Sequence, residues 1–403
     1  MRKLLPVVTI LVAVCFAMCK PKATISENPG DATDSAPIQP IIEVDLNGND
    51  YPKKDLYIQD IADVRYLALE TTDKSLIQHI YNVAIRDNKI IITDKLTSQI
   101  LVFDSIGNYL TKIARHGSGP HDYMFICNSA VDFDSEVVYV EDMNDYKVYD
   151  YDGYLIKKIS KSNKKGASDL YLVDSDRLIA YYETNGMREE GDTLGGNYYY
   201  IDTNTGHRTR IDIDIPDPAS NNFMITENGV TTSRGLDINT MMKSDGKVII
   251  SDYIYPTVFQ SSSSGMNPII ERMGTDSKGQ DSRVLTSVAY ISDPYIIFRY
   301  IKVSGVGDIK KFGISKDRDL IYDRKTNTIV EGQIYNKDMD IHRACGKAWG
   351  YDLPANTIVQ VLPIEPMHKL NDEGRLSGPL KEMIDTIDIE ANDILMIATL
   401  KSK

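Results

Sequence analysis

The chain has 403 residues, with 58 acidic side chains against 45 basic ones and a formal net charge of -13. So acidic a surface repels phosphate backbones and anionic headgroups, which argues against nucleic acid as a partner and against broad binding to anionic lipid. Four cysteines, no Cys-x-x-Cys pair and no Cys/His cluster at ligand spacing leave neither a disulfide framework nor a zinc motif.

In chain order, Arg2 and Lys3 precede an apolar stretch from Leu4 to Met18, too short and wrongly flanked for a membrane span, and Cys19 follows at once. This pattern predicts a lipoprotein signal over residues 1–18 with Cys19 as the acylated residue. An ordinary secretory peptide with an incidental cysteine is the other reading. Residues 19–41 hold Pro21, Ser26, Pro29, Gly30, Pro37 and Pro40 with few large apolar side chains. Such a stretch buries too little to order itself and reads as a tether. Residues 42–403 then form one domain, with no linker-like interruption. Cys127 and Cys345 lie within it. They read as small buried residues in or near strands, with pairing left open.

The domain repeats one pattern. Ile100-Leu-Val-Phe-Asp104 is followed by Gly107 and Ile113, and Tyr146-Lys-Val-Tyr-Asp150 by Gly153 and Ile159. Tyr200-Ile-Asp202 with Gly206 is a third copy, Val258-Phe-Gln260 with Gly265 a fourth, and Ile321-Tyr-Asp323 with Asn327 a degraded fifth. Upstream of each anchor lies a turn and a strand ending near a polar residue, acidic in the copies at Asp94, Glu141 and Asp252. Short runs of Ile, Val and Tyr bounded by Asp, Asn, Gly and Ser are strand-and-turn chemistry. The anchors at 104, 150, 202, 260 and 323 are spaced by 46, 52, 58 and 63 residues. Four short antiparallel strands per period of that length predict an all-β, six-bladed β-propeller. Asp63 to Leu69 is a lone N-terminal strand, and its pairing with the C-terminal strands Thr357–Leu362 and Ile394–Leu400 would close the ring. Leu380, Met383, Ile384 and Ile387, behind Pro379, predict a short helix over 377–386.

The chain resembles the six-bladed β-propeller lipoproteins of gut Bacteroidetes, whose blades are related to NHL repeats. The matching segments are Leu67-Ala-Leu-Glu-Thr-Thr-Asp73, Ile100 to Gly107, Gly117-Ser-Gly-Pro120-His-Asp-Tyr123 and Glu390 to Lys401. His121, Asp122 and Asp393 depart from the family pattern. The resemblance implies a propeller held in the cell envelope. It supplies no catalytic residue.

Chemistry is sparse. Arg115, His116, His121, Asp122 and Tyr123 make the densest polar loop, a candidate for binding an anion or a metal. The competing reading is a tight turn set by Gly117, Gly119 and Pro120, with Tyr123 packed on the next blade. The acidic turns at Asp150, Asp152, Asp212, Asp214 and Asp217 lack the ligand set of a calcium loop. The polar insertion from Gly186 to Gly196 is either a binding loop or a hairpin tip. No nucleophile elbow, phosphate loop or zincin motif is present. The expectation is a lipid-anchored envelope protein, without cofactor, that presents propeller loops to a protein, peptide or glycan. A hydrolase or lyase with a central divalent metal is the alternative. Lys20-Pro-Lys22 after the cysteine lacks the acidic run that resembles a surface-export signal in this bacterial group, so the resemblance implies the periplasmic face of the outer membrane over the cell surface.

Overall fold

The computed structural model describes residues 42–45, 51–162, 165–182, 197–211, 213, 222–227, 230–235, 240–253, 256–273, 282–304, 313–314, 318–340 and 351–401. Cys19, the tether, the 186–196 insertion, Asp212, Asp214, Asp217 and Cys345 lie outside them. Of the described residues 53% are in strands and 7% in helices, which makes the fold all-β, and its sheets take a β-propeller arrangement.

Five antiparallel meanders follow one another. The first is Asn82–Arg86, Lys89–Asp94, Gln99–Asp104 and Tyr109–Ile113. The second is Asn128–Asp132, Val137–Glu141, Asp145–Asp150 and Leu155–Ser160. The third is Asp169–Asp174, Arg177–Tyr181, Tyr198–Asp202 and Arg208–Arg210. The fourth runs from Met241–Ser244 through Lys247–Ile250 and Thr257–Ser262 to Gly265–Met273. The fifth consists of Ser282–Ile291, Tyr295–Ser304, Arg318–Asp323 and Thr328–Gly332. A last sheet joins Thr357–Leu362 to Ile394–Leu400 and Ile394–Leu400 to Ala62–Ala68, so the N-terminal strand does pair with the C-terminal one.

The expectation of six four-stranded blades is corrected. The described strands make four sheets of four or more strands, not six. A short segment explains the difference. Asp352–Leu353 pairs in parallel with Met241–Ser244 on one side and with Asn82–Arg86 on the other. It thereby fuses the first and fourth meanders into a ten-stranded sheet, while the last sheet keeps three strands.

Alternation along each strand builds the core. Ile90 and Ile92 pack toward Leu67, Leu395 and Ile397 of the last sheet, while Ile91 between them packs toward Val131, Val138 and Val140 of the second meander. Successive side chains point to opposite faces and both faces are covered, so the strand reads as an unbroken apolar run. The same arrangement recurs between second and third, third and fourth, and fourth and fifth meanders. Tyr295, Ile297 and Ile321 of the fifth meander pack with Ile358, Met396 and Ala398 of the last sheet.

The repeated aspartate is a turn residue. Asp104 Oδ1 accepts from the Ile106 and Asn108 amides at 3.0 and 2.8 Å. Asp202 Oδ1 accepts from Asn204 and Thr205, and Asp323 Oδ1 from Lys325 and Thr326. The Thr205 hydroxyl and amide hold the Asp202 carboxyl below its ordinary range. In two copies the glycine after it serves packing. A Cβ on Gly107 (φ +92) would lie 2.2 Å from the Ala68 carbonyl, and one on Gly206 (φ +71) 2.1 Å from that of Ser160. Each turn thus sits directly on the backbone of the preceding sheet.

N-terminal residues cover outer edges, as exposed sheet edges require. Ile42–Asp45 adds in parallel to Gly265–Met273, and Leu56–Tyr57 to Ile334–Tyr335. The expected helix forms as Gly378–Ile384. A second, Ile364–Asp372, was not foreseen, and it buries Ile364, Met367 and Leu370 against the last sheet.

Candidate functional site

The predicted polar loop is mainly a structural corner. Tyr123 is buried, and its hydroxyl donates to the Ser98 carbonyl at 2.8 Å and accepts from the Arg115 amide at 3.2 Å. Burial pushes that phenol up to about 12. Arg115 Nε donates to the Gly153 carbonyl at 2.8 Å, on an outer turn of the next meander. Asp122 Oδ2 accepts from the Gly119 amide at 3.0 Å, and a Cβ on Gly117 or Gly119 would stand 2.6 Å from that oxygen. His121 gives its carbonyl to the Tyr149 hydroxyl at 2.9 Å. The rings of His116 and His121 are exposed. One loop therefore holds all five residues, with Arg115, Asp122 and Tyr123 engaged in the fold. No group of three His, Cys, Asp or Glu among the described residues is arranged to hold a metal.

A denser cluster lies where the first strands begin. The register sets Asn82 opposite Thr93, Asn128 opposite Glu141 and Asp169 opposite Tyr181, so these pairs mark one rim of three successive meanders. Cross-links hold that rim together. The Thr93 and Ser129 hydroxyls lie 2.8 Å apart, and Asn128 Nδ2 donates to the Ala167 carbonyl at 2.8 Å. The acids that end the second strands are staples. Asp94 Oδ2 accepts from the Gln78 amide at 2.8 Å, and Asp252 Oδ2 accepts from the Tyr198 hydroxyl at 2.7 Å. Glu141 is fully buried, accepts from the Ala167 amide at 3.1 Å and pairs with Lys161 Nζ at 2.8 Å. Burial raises the Glu141 carboxyl above its ordinary range despite the nearby Lys161.

Asp142, the next residue, is a hub. Its carboxylate pairs with Lys147, and it accepts from the amides of Met124, Phe125 and Met143 at 3.2, 3.3 and 2.8 Å. Those three side chains are left exposed at 49%, 51% and 45%. On the same rim Lys95 is half-buried. Its Nζ rests 3.3 Å from the centroid of the Tyr81 ring and 3.4 Å from Asn128 Oδ1. Burial pulls its ammonium down to about 8, against the fields of Asp169 and Glu141. Burial also pushes the Asp169 carboxyl up to about 7, with Lys95 opposing. Cys127 sits in the same cluster, and burial raises its thiol, so it is no activated nucleophile.

Below this rim a two-residue strand bridges two meanders. Asp352–Leu353 lies between the first strands, and Asp352 pairs with Lys243 Nζ at 2.7 Å, both buried. The cavity left beside Asp352, lined by Asn82, Thr93, Ser129, Val131 and Leu172, measures about 20 Å³, room for about one water.

Sequence reasoning found the acids ending the second strands but not Lys95, Asp142, Lys161 or Asp169 as their company. Lys95 and Asp169 stand 74 positions apart (169 minus 95) and meet only through the recurrence of the meanders.

The sheets and their order define a protein of β-propeller type. The chain belongs to the DUF4934 family, a domain of unknown function, which matches residues 41–399. A comparison with curated proteins gives no match. Among solved structures, the chain is similar to a "putative exported protein" of Bacteroides fragilis NCTC 9343, at 14% identity and a TM-score of 0.59, over 90% of this chain and 100% of that one. It is also similar to a DUF4221 member from Bacteroides vulgatus ATCC 8482, at 10% identity and a TM-score of 0.48, over 86% and 100%. A virginiamycin B lyase from Staphylococcus aureus matches at 13% identity and a TM-score of 0.36, over 84% and 100%. The first of these shows a shared fold alone, and the other two carry no argument. No helix among the described residues is long and apolar enough to cross a membrane.

Proposed function

We propose that this protein is a binding or scaffold component of the bacterial cell envelope, which takes a protein, peptide or glycan at the rim formed by its first three meanders. The observation that carries the reading is the contrast, among the described residues, between a nearly closed inner cavity and a furnished rim. The cavity beside Asp352 among the described residues has room for about one water, while Lys95, Asp169 and the exposed Leu96, Met124, Phe125 and Met143 stand outside it. A nearly closed cavity favours recognition at the surface over a lyase or hydrolase working within an open channel.

The proposal includes acylation of Cys19, a tether over residues 19–41 and the periplasmic face of the outer membrane. The exported neighbour supports an envelope address. It also includes a ring closed by Ala62–Ala68 against Ile394–Leu400, built of units related to NHL repeats. The Arg115–Tyr123 loop then acts as a brace that delivers residues 123–127 to the rim.

A photo-reactive amino acid placed at Met124, and in a control at Ile106 on an outer turn of the first meander, tests the reading in cells of the native host. Adducts from position 124 and none from position 106 are expected. Adducts from 106 alone would overturn the assignment of the rim.

A further inference from the structure

Lys95 presents an ammonium with no carboxylate at ion-pairing distance among the described residues, only the Tyr81 ring and the Asn128 amide oxygen. The other charges of the cluster are already matched: Glu141 by Lys161 and Asp142 by Lys147. Asp169 has no side-chain hydrogen bond among the described residues. Its raised carboxyl stands largely protonated near pH 6, where it offers a proton rather than a repelling charge.

Four large exposed apolar side chains lie on the same rim as this cation. Asp142 fixes the amides of Met124, Phe125 and Met143, and Asp94 Oδ1 fixes that of Leu96 at 3.0 Å, leaving Leu96 70% exposed. The Tyr123 hydroxyl on the Ser98 carbonyl ties the 95–98 turn to the 123–127 segment, so the four belong to one locality. Buried carboxylates thus hold apolar side chains out into water. Apolar side chains grouped among polar groups mark a partner site.

We infer that this rim captures the carboxyl terminus of a peptide, with Lys95 taking the terminal carboxylate and Leu96, Met124, Phe125 and Met143 taking the large apolar side chains of its last residues. The inference rests on the rim-binding function proposed above and names its ligand. Charge complementarity supplies the anion. The distribution of the apolar groups over three loops suits alternating side chains of an extended chain. An acyl tail would need a tunnel, and the cavity beside Asp352, with room for about one water, does not supply one.

The test is fluorescence anisotropy near pH 6 with a fluorescein-labelled hexapeptide, Gly-Ser-Gly-Ser-Leu-Phe, as free acid and as C-terminal amide, against the full-length protein. The free acid is expected to bind about tenfold or more tightly than the amide. Lys95→Met abolishes that preference and Lys95→Arg keeps it, while Phe125→Ser weakens both forms. Circular dichroism of each variant establishes that it is folded. Equal binding of acid and amide, or a preference that survives Lys95→Met, overturns the carboxylate assignment. If Phe125→Ser still weakens both forms, the rim reading stands without it. Absence of binding at millimolar protein overturns the peptide inference, whereas the photo-adduct at position 124 judges the rim reading separately.

Discussion

Substituting Gly107 by alanine tests whether the repeated turns wedge against their neighbours. Two costs combine there. A φ of +92 disfavours any Cβ by about 1 kcal/mol or more. The added Cβ would also stand 2.2 Å from the Ala68 carbonyl oxygen. Ala68 is held in register against Ile394, and the Gly107 carbonyl accepts from the Glu70 amide at 2.8 Å, so neither strand can withdraw without breaking its ladder. Overpacking of this kind adds roughly 1–3 kcal/mol, for a total on the order of 2–4 kcal/mol. Gly206→Ala should behave alike, since its Cβ would meet the Ser160 carbonyl at 2.1 Å. Gly153 is the internal control. Its φ is +80, yet nothing lies closer than 3.6 Å to a new Cβ, and Gly153→Ala should cost only about 1 kcal/mol. Urea unfolding followed by circular dichroism measures all three. Equal losses for the three variants would show that backbone conformation alone matters and would refute the wedge argument.

The remaining predictions concern the rim and the last sheet. Asp142→Ala removes the partner of a buried Lys147 and the acceptor of three amides, and is expected to cost roughly 3–5 kcal/mol in urea unfolding. A loss under about 1 kcal/mol would show that the hub is dispensable. For Asp169 the folded carboxyl titrates near 7 and the unfolded one near 3.8, so the folded state binds the proton more tightly. Its contribution is present below about pH 4 and lost as pH rises through about 7. Asp169→Asn should therefore gain stability relative to the wild type between pH 4 and 7, on the order of 1–2 kcal/mol after allowance for partial solvent access, with thermal melts across that range as the measure. A difference that stays constant with pH would contradict the buried-carboxyl account. If the terminal strands complete the ring, amides of Ala62–Ala68 exchange with the same opening free energy as those of Lys89–Asp94. Much faster exchange in Ala62–Ala68 would mark it as a fraying end.

The sequence exposes much of this architecture because the turns demand particular chemistry. Asp104, Asp202 and Asp323 recur because each carboxylate satisfies the amides of its own turn, and at Gly107 and Gly206 a neighbouring backbone leaves no room for a Cβ. Ile90 to Ile92 form one run because the two faces of the strand serve different interfaces. The Gly378–Ile384 helix was visible from the spacing of Leu380 and Ile384, both buried. The Ile364–Asp372 helix was not; it starts behind Pro363 and carries Pro366 in its first turn, where proline is tolerated. The blade count failed at Asp352–Leu353, whose two-residue pairing carries no periodic signal. The Arg115–Tyr123 loop attracted notice for its composition, yet three of its five polar residues brace the fold. The rim cluster went unseen because its members lie one per meander. The resemblance to Bacteroidetes propellers is supported by the DUF4934 match across the domain and by a neighbour from Bacteroides.

Amine acetylation of the native protein near pH 8, mapped by mass spectrometry, tests most directly whether the inner cavity is closed and the rim open. Lys95, half-buried at the rim with its ammonium lowered to about 8, is expected to react readily. Lys243, buried against Asp352, and Lys161, buried against Glu141, are expected to stay unmodified until the protein unfolds. Modification of Lys243 in the folded protein as fast as Lys95 would show an open channel and contradict the account.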